Sequence, residues 1–575
     1  GDEFQDAAKP ALRTGEGGLI PVYRFTSPDV VGTGGALFEA GSAVEGITIP
    51  PRYSSAEGDL RIEVSPSLAA STLDALDYLE SFPHECIEQT VSRFLPNIVT
   101  YNALRDLNID KPELERGLIS TLNASLARLK TAQNPNGGWG WFPGMESDAL
   151  VTAYALIGLS EARDAGFAVD AGMIRLANEY LLSQSISVSP NTSANLLNRL
   201  PVLLYAQTRY DSSADSLIDR LDELAAYRQR LTIAAQAFLL LSYQQADPNS
   251  SNIPTLLSAL NSEAILSATG AHWEEQTRDW FNWGSDTRTT ALALLALAKA
   301  QPDNPLLPNA VRWLMTARRG DHWQTTQETA WSVMALTEWM QISGELEGDY
   351  TYTVNLSGDR LLDATVTPQT VTEGRALRVD VADLARDMLN RVSISRSEGT
   401  GALYYSAFLD LRLPAEEVTA LSRGVTVERE YYLGTDRSTS IADANVGDVI
   451  TVRVTLTLPQ DVYFFVLENP IPAGTEAVDT SLSTSGTSSL ASLYSDNRDG
   501  RFWFYNAWAF NHIELRDQET HLYADFLASG TYVYSYQVRA TLPGEFRVLP
   551  AQGYAFYQPD VFGRTDGEIF TITAE

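Results

Sequence analysis

The chain has 575 residues, too many for a single core, so three or four domains are expected. Hydrophobic residues make up 44% and aromatic residues 10%, enough to fill several cores. Lys and Arg number 41 against 73 Asp and Glu, a formal net charge of −32, which argues against nucleic acid or anionic lipid as a partner because both would be repelled.

The first stretch, GDEFQDAAKPALRTGEGG, lacks the basic and apolar regions of a signal peptide, and no apolar run reaches transmembrane length. It reads as the interior of a longer protein or as a cloning remnant. LFEAGSAVEGITIPP and GDLRIEVSPS then read as two β-strands joined by a turn. From 71 to 343 apolar residues recur at three and four, as in TLDALDYLESF and ADSLIDRLDELAAY, which predicts about twelve helices with short loops. Three segments resemble one another: SDALVTAYALIGLSEA (147–162), SDTRTTALALLALAKA (285–300) and TTQETAWSVMALTEWM (325–340). Each has a polar cap, a Thr and an Ala/Leu-rich helix suited to close helix contact. Repeated helix pairs mean a solenoid or a toroid, and about six pairs favour a closed α/α barrel over a single large bundle.

Past residue 348 the period becomes two. TYTVNLSGDRLLDATVTP and ALRVDVADL are strands, followed from 424 by VTVEREYYL, DVITVRVTLTLP, RFWFYNAWAF, TYVYSYQVRATLP and GEFRVLP, an all-β sandwich with turns at 498–500 and 543–544. The expected organisation is a β domain in two parts (1–70 and 346–420), a helical domain inserted into it (71–345) and a C-terminal sandwich (421–575).

SFPHECIEQTVSRFLPN (81–97) carries the only cysteine, Cys86, with Gln89 three residues on. A lone cysteine excludes internal disulfides and is often a small buried hydrophobe. At a helix start its thiol is expected to be acidified and reactive. A thiolate beside a primary amide displaces ammonia to give an internal thioester, and three residues across a turn into a helix let the two side chains meet. Such a bond must be kept dry, so an aromatic shield is expected around it.

ECIEQTVSRFLPN resembles the thioester signature of the α2-macroglobulin and complement superfamily, most closely its bacterial branch. SPSLAASTLDALDYLESFP, GGWGWFPGMESDALVTAYAL, TQETAWSVMAL and LYADFLASGTYVYSYQVRATLPGEFRVLPAQGYAFYQPDVFGRTDG (522–567) resemble the flanking segments of that family, so the likeness covers nearly the whole chain. It implies an α/α-toroid thioester domain of about six hairpins set in a β domain, then a macroglobulin-like antiparallel β-sandwich. It also implies a single-use covalent trap rather than a turnover enzyme: an endopeptidase inhibitor in bacterial defence, capturing target proteases through lysine amines and accepting small amines such as methylamine. The bait region of the family lies upstream of anything here, so the chain resembles a C-terminal portion whose partners include upstream domains of the same protein. An extracytoplasmic location is implied, periplasmic or at the cell surface, with membrane anchoring in the full-length protein. No cofactor and no metal are expected.

Residue by residue, Cys86 and Gln89 match the thioester pair. The family's shielding positions fall on Phe82, which lacks the hydroxyl of the usual Tyr, on Trp139 or Trp141 with Trp141 favoured, and on a turn at 554–559 with Phe556 and Tyr557 as locking side chains. Ordinary core packing is the plainer account of these aromatics. Glu85 stands where the family usually has Gly, which would ease a strained backbone. Complement relatives that transfer to hydroxyls carry a His just before the helix at 147–162. FPGMES has none, so amines are the expected nucleophiles. His84 is a candidate local base, the alternative being a solvated loop side chain.

Other chemistries have weaker signals. Cys86 with His272 or His322 would make a protease nucleophile. Glu274, Glu275 and Asp321 would serve an α/α-toroid carbohydrate-active enzyme, which needs paired carboxylates or a base. A thioester adhesin or opsonin-like tag would use the same bond on a cell surface. HECIE is not a zincin motif, DNRDG (496–500) reads as a β-turn rather than a calcium loop, and the Asn123 and Asn191 sequons read as chance.

Overall fold

The computed structural model describes residues 26–478 and 509–574, apart from 54–56, 108, 110–111, 214, 268, 387 and 437. The segment DNRDG and most of RFWFYNAWAF lie outside the described residues.

The chain begins and resumes in one β domain of two antiparallel sheets. Strands Thr26–Leu37, Leu403–Pro414, Glu57–Ser65 and Arg375–Asp380 form the first, in that order, and Gly41–Ile47, Asn390–Arg396, Tyr350–Leu356 and Asp359–Val366 the second. Each sheet therefore mixes strands from before and after the helices. Leu60, Ile62 and Val64 alternate along one strand, all fully buried, and meet Val354, Val392 and Ile394 of the other sheet in a shared core. The helices are an insertion into this domain, as the two-part sequence pattern implied.

Among the described residues six long helices form the inner ring of the insertion: Ile87–Asp106, Ala149–Asp164, Ala194–Tyr210, Ile233–Ala246, Asp286–Ala300 and Thr326–Ser343. Each packs on the next, and the last packs back on the first, so the ring is closed and the single-bundle alternative falls away. Outer helices such as Pro112–Ala132, Ala171–Ser183 and Leu307–Ala317 cover it. The inner helices are apolar nearly all round because neighbours press on every side. Close approach sets composition: a Cβ on Gly158 would lie 2.8 Å from Val91 Cγ1.

The three similar segments share a tryptophan peg. Asp148, Ser285 and Thr325 cap their helices. In each repeat a helix threonine (Thr152, Thr290, Thr329) accepts the backbone N–H of a buried Trp (Trp139, Trp273, Trp323) at 2.9, 3.1 and 3.1 Å. Each indole N–H then donates to a leucine carbonyl of the preceding outer helix: Leu129, Leu260 or Leu314. Every buried polar group of the peg is thereby satisfied, which pins outer helix to inner helix.

The C-terminal sandwich has a six-stranded sheet, Leu421–Arg423, Gln558–Arg564, Gln552–Ala555, Val462–Pro470, Glu519–Leu527 and His512–Leu515. It faces a four-stranded sheet built on Thr426–Leu433, Val449–Leu458, Gly530–Ala540 and Thr475–Ala477. Among the described residues the strands of this domain pair antiparallel, except that Asp443–Asn445 runs parallel to Glu568–Thr573 and Gly424 makes an isolated parallel bridge to Phe562. The strand period assigns two jobs to one sheet. Phe465, Leu467, Leu522 and Ala524 fill the sandwich core, whereas Phe464, Val466 and Tyr523 join the toroid's core. The sandwich thus sits on the toroid face-on. No helix among the described residues is long and apolar enough to cross a membrane.

Candidate functional site

Cys86 is the N-cap of the first inner helix, at φ −71° and ψ 170°. Its Sγ accepts the Gln89 backbone N–H at 3.5 Å, and Gln89 Oε1 accepts the Cys86 N–H at 3.1 Å. This is a capping box with Cys in the Ser/Thr slot and Gln at N3. The reciprocal bonds are what bring thiol and carboxamide together: a spacing of three residues at a helix start suffices. The next free helix donor, Ile87 N–H, is taken by the Trp141 carbonyl at 2.8 Å, so the loop carrying Trp141 is tied to the same turn.

Both side chains are buried, and among the described residues the Gln89 amide nitrogen has no hydrogen-bond acceptor. The acidified thiol expected at a helix start is not what the structure gives. Burial pushes the Cys86 thiol well above its ordinary range, with the nearby Glu88 charge adding to it, and hydrogen bonds from the helix start only partly offset this.

Aromatic rings from three directions close over this turn. Trp141 lies 5.5 Å from Trp283, 4.5 Å from Phe464 and 5.8 Å from Tyr557, centroid to centroid. Tyr557 and Phe556 form the turn between two sandwich strands, and the Phe556 N–H donates to the Phe464 carbonyl. Phe464 sits at φ 54°, a costly conformation for a bulky residue, which turns its ring toward Trp141. Trp139, two residues from Trp141, is a wall peg and takes no part in the cover. Phe82 is half-buried at the rim, 5.6 Å from Tyr78 and 5.5 Å from His84.

His84 is no solvated loop residue: it is fully buried. Nδ1 lies 3.0 Å from Tyr523 OH, and Nε2 lies 3.1 Å from Tyr554 OH and 2.9 Å from Glu468 Oε1. Burial would raise the Glu468 carboxyl, but the His84 hydrogen bond and charge hold it below the usual range. On the other side of the cysteine, Glu88 is also fully buried and accepts from Ser92, Thr326, Gln327 and Tyr557. Neither Glu88 nor the sandwich residues Phe464, Glu468 and Tyr523 were picked out by the sequence reading. An acidic residue in the first turn of a helix ordinarily serves the helix dipole from solvent, and the unbroken buried helix around Glu88 is the signal that a carboxylate there must be paired.

Glu85 is exposed and ion-paired with Arg93 at 3.4 Å and Arg128 at 3.0 Å. Its φ is not among the positive values, so the backbone here does not require glycine.

The other candidate chemistries come apart. His272 stacks on Trp313 and pairs with Glu274, while His322 stacks on Tyr78 and pairs with Asp321, rather than either joining Cys86. Glu275 accepts the Ile233 and Ala234 N–H groups, capping a helix. No group of three His, Cys, Asp or Glu among the described residues is arranged to hold a metal.

The architecture is a closed α/α toroid inserted in a two-sheet β domain and covered by a β-sandwich. Residues 61–199 match the A-macroglobulin TED domain, and residues 424–560 match the bacterial alpha-2-macroglobulin MG10 domain. The chain thus carries likenesses to two domains of the bacterial alpha-2-macroglobulins and resembles their C-terminal portion. An alpha-2-macroglobulin homolog of Nostoc sp. is 24% identical over 462 residues, which is 77% of this chain and 23% of that protein. Native Escherichia coli alpha-2-macroglobulin, from domain MG7 to the C-terminus, superposes with a TM-score of 0.69 at 20% identity, covering 95% of this chain and 82% of the other. Salmonella alpha-2-macroglobulin reacted with methylamine gives 0.69 at 19% identity over 95% and 34%. At these identities the superpositions speak for the fold. The chain spans less than a third of the curated relatives it matches.

Proposed function

We propose that Cys86 and Gln89 form an internal thioester and that this chain is the reactive portion of a covalent protease trap. Sγ replaces the amide nitrogen on Gln89 Cδ and ammonia leaves. An amine then attacks Cδ, an amide forms, and Cys86 is released as the thiol. The observation that carries this reading is the capping box, which sets the Cys86 thiol and the Gln89 carboxamide on one turn, with no acceptor for the amide nitrogen among the described residues. The two domain matches support it, as does the likeness to a Salmonella relative reacted with methylamine.

Lysine amines of target proteases are the intended nucleophiles, delivered in a longer protein whose upstream domains supply the trigger. Amine preference rests on segment 142–147, which carries no histidine. Trp141, Phe556 and Tyr557 act as the shield, with Phe82 at its edge. His84 is a base only once the sandwich has moved, since both of its ring nitrogens are engaged by sandwich side chains. An extracytoplasmic site of action, with anchoring in the full-length protein, follows from the same family reading.

The test is the intact mass of the chain with and without methylamine, alongside a thiol titration, with Cys86→Ser as control. Loss of one ammonia, a blocked thiol, and one methylamine gained as the thiol appears are expected. A full mass with a free thiol from the start rejects the reading, unless the mass is one unit above the Gln form, which marks hydrolysis. Efficient transfer to glycerol would replace the trap with a surface-binding adhesin.

A further inference from the structure

We propose that Glu88 is a positioning residue for this reaction: its buried carboxylate grips the Tyr557 hydroxyl and so holds the aromatic cover down over the Cys86–Gln89 pair. The proposal rests on the thioester reading and adds to it the device that ties reactivity to docking of the sandwich.

The argument starts from what Tyr557 touches. Its ring meets Trp283, Phe464, Trp141 and Phe556 at 5.3 to 6.1 Å, contacts that exclude water but orient a ring only loosely. Its hydroxyl is the directional contact, donating to Glu88 Oε2 at 2.8 Å. Tyr557 is 2% exposed and Glu88 0%, so the phenol enters the toroid tip first and finds the carboxylate at the bottom of its socket.

Glu88 is built to stay there. Ser92 and Gln327 donate to Oε1 at 2.7 Å each, and Thr326 to Oε2 at 3.0 Å. Those three come from two toroid helices, Ile87–Asp106 and Thr326–Ser343, and only Tyr557 comes from the sandwich. Lifting the sandwich therefore removes one donor from a buried carboxylate that keeps the rest. A hydrogen bond to an ionised acceptor is worth about twice one to a neutral acceptor, so the grip depends on Glu88 being charged. The titratable and charged groups acting on Glu88 are the Cys86 thiol, the phenols of Tyr78, Tyr154 and Tyr557, and the Arg288 guanidinium. Burial raises the Glu88 carboxyl above its ordinary range, against the lowering by its hydrogen bonds, so as pH falls it takes up a proton before an exposed glutamate does.

The test is a double-mutant cycle on the whole chain: the parent, Glu88→Gln, Tyr557→Phe and the pair. The readout is the rate of methylamine incorporation by mass and of thiol appearance, over a range of pH. Each single change is expected to raise the rate about tenfold, and the pair no further than either alone, because both break the same bond. The ratio of Glu88→Gln to parent is expected to fall toward one as pH drops and Glu88 protonates in the parent, whereas free amine concentration cancels in the ratio. Multiplying effects, a ratio that does not change with pH, or a fast Tyr557→Phe beside an unchanged Glu88→Gln would each overturn the proposal. Should Glu88→Gln fail to fold, Glu88→Asp, shorter by one methylene, is expected to show the same pH-dependent acceleration, and its absence counts against the grip. If the intact mass shows no thioester, the same cycle is read by the rate of Cys86 alkylation with iodoacetamide. Uncoupled rates there reject the grip itself, separately from the bond it covers.

Discussion

Trp139 and Trp141 lie two residues apart and belong to different machines. Trp139 is fully buried in the toroid wall, gives its indole N–H to Leu129, and has counterparts at Trp273 and Trp323. Trp141 presents its ring to Phe464 and Tyr557, side chains of another domain. Residue type does not separate them. What separates them is whether the neighbours belong to the same folding unit or to one that can leave. The wall is expected to answer to mutation in stability, and the mouth in reactivity.

The largest effect should come from the wall. Trp139→Ala opens a cavity and orphans the Leu129 carbonyl and is expected to destabilise the toroid by about 3–5 kcal/mol, read as a lower melting temperature. If it melts like the parent, the peg is not structural. Trp141→Ala should reverse the pattern: methylamine uptake about tenfold faster, with a smaller melting shift than Trp139→Ala gives. Equal losses of stability in the two variants would erase the distinction.

A third test addresses the seam between the domains by pH. Burial, with the charge of Asp148 second, pushes the sandwich carboxyl Asp525 up to about 6. A raised folded value means the neutral form is favoured. The stabilisation is fully present below the ordinary carboxyl range near 4 and is lost as pH rises through about 6. Asp525→Asn should therefore melt higher than the parent at pH 7.5 and the same below pH 4. A difference that persists in acid would place the effect elsewhere. The smallest response should be at Glu85. Its ion pairs with Arg93 and Arg128 are exposed, so Glu85→Ala is expected to cost less than about 1 kcal/mol and leave methylamine uptake within about twofold. A large acceleration would mean the carboxylate guards the bond after all.

These tests follow the line between what the sequence discloses and what it hides. The helical period, the three repeats and the strand alternation each report a residue's own element, so toroid, insertion and sandwich were readable. The first strand, Thr26–Leu37, was not, because TSPDVVGTGGAL carries glycines where a strand normally carries side chains. A Cβ on Gly34 would lie 2.9 Å from the Tyr405 carbonyl, so the pairing itself demands the glycine that hides the strand. At the site, Cys86 and Gln89 were legible because both sit in one turn. The burial of His84 and Glu88 was not, since their partners Tyr523, Tyr554 and Tyr557 lie more than four hundred residues away. The thiol's direction was missed for the same reason: the helix start is local, and the burial that outweighs it comes from side chains distant in sequence.

The interleaved β domain has a consequence for synthesis. Glu57–Ser65 pairs with Leu403–Pro414 and Arg375–Asp380, and among the described residues Thr26–Leu37 pairs only with Leu403–Pro414, so none of these ladders can form until the ribosome has passed the whole helical ring. The contacts that close the ring are between its own helices, so the ring can close first. Nascent strands must wait, unpaired, at the base of a finished toroid, which makes this β domain the slowest part of the molecule to assemble and the part most in need of protection while it does.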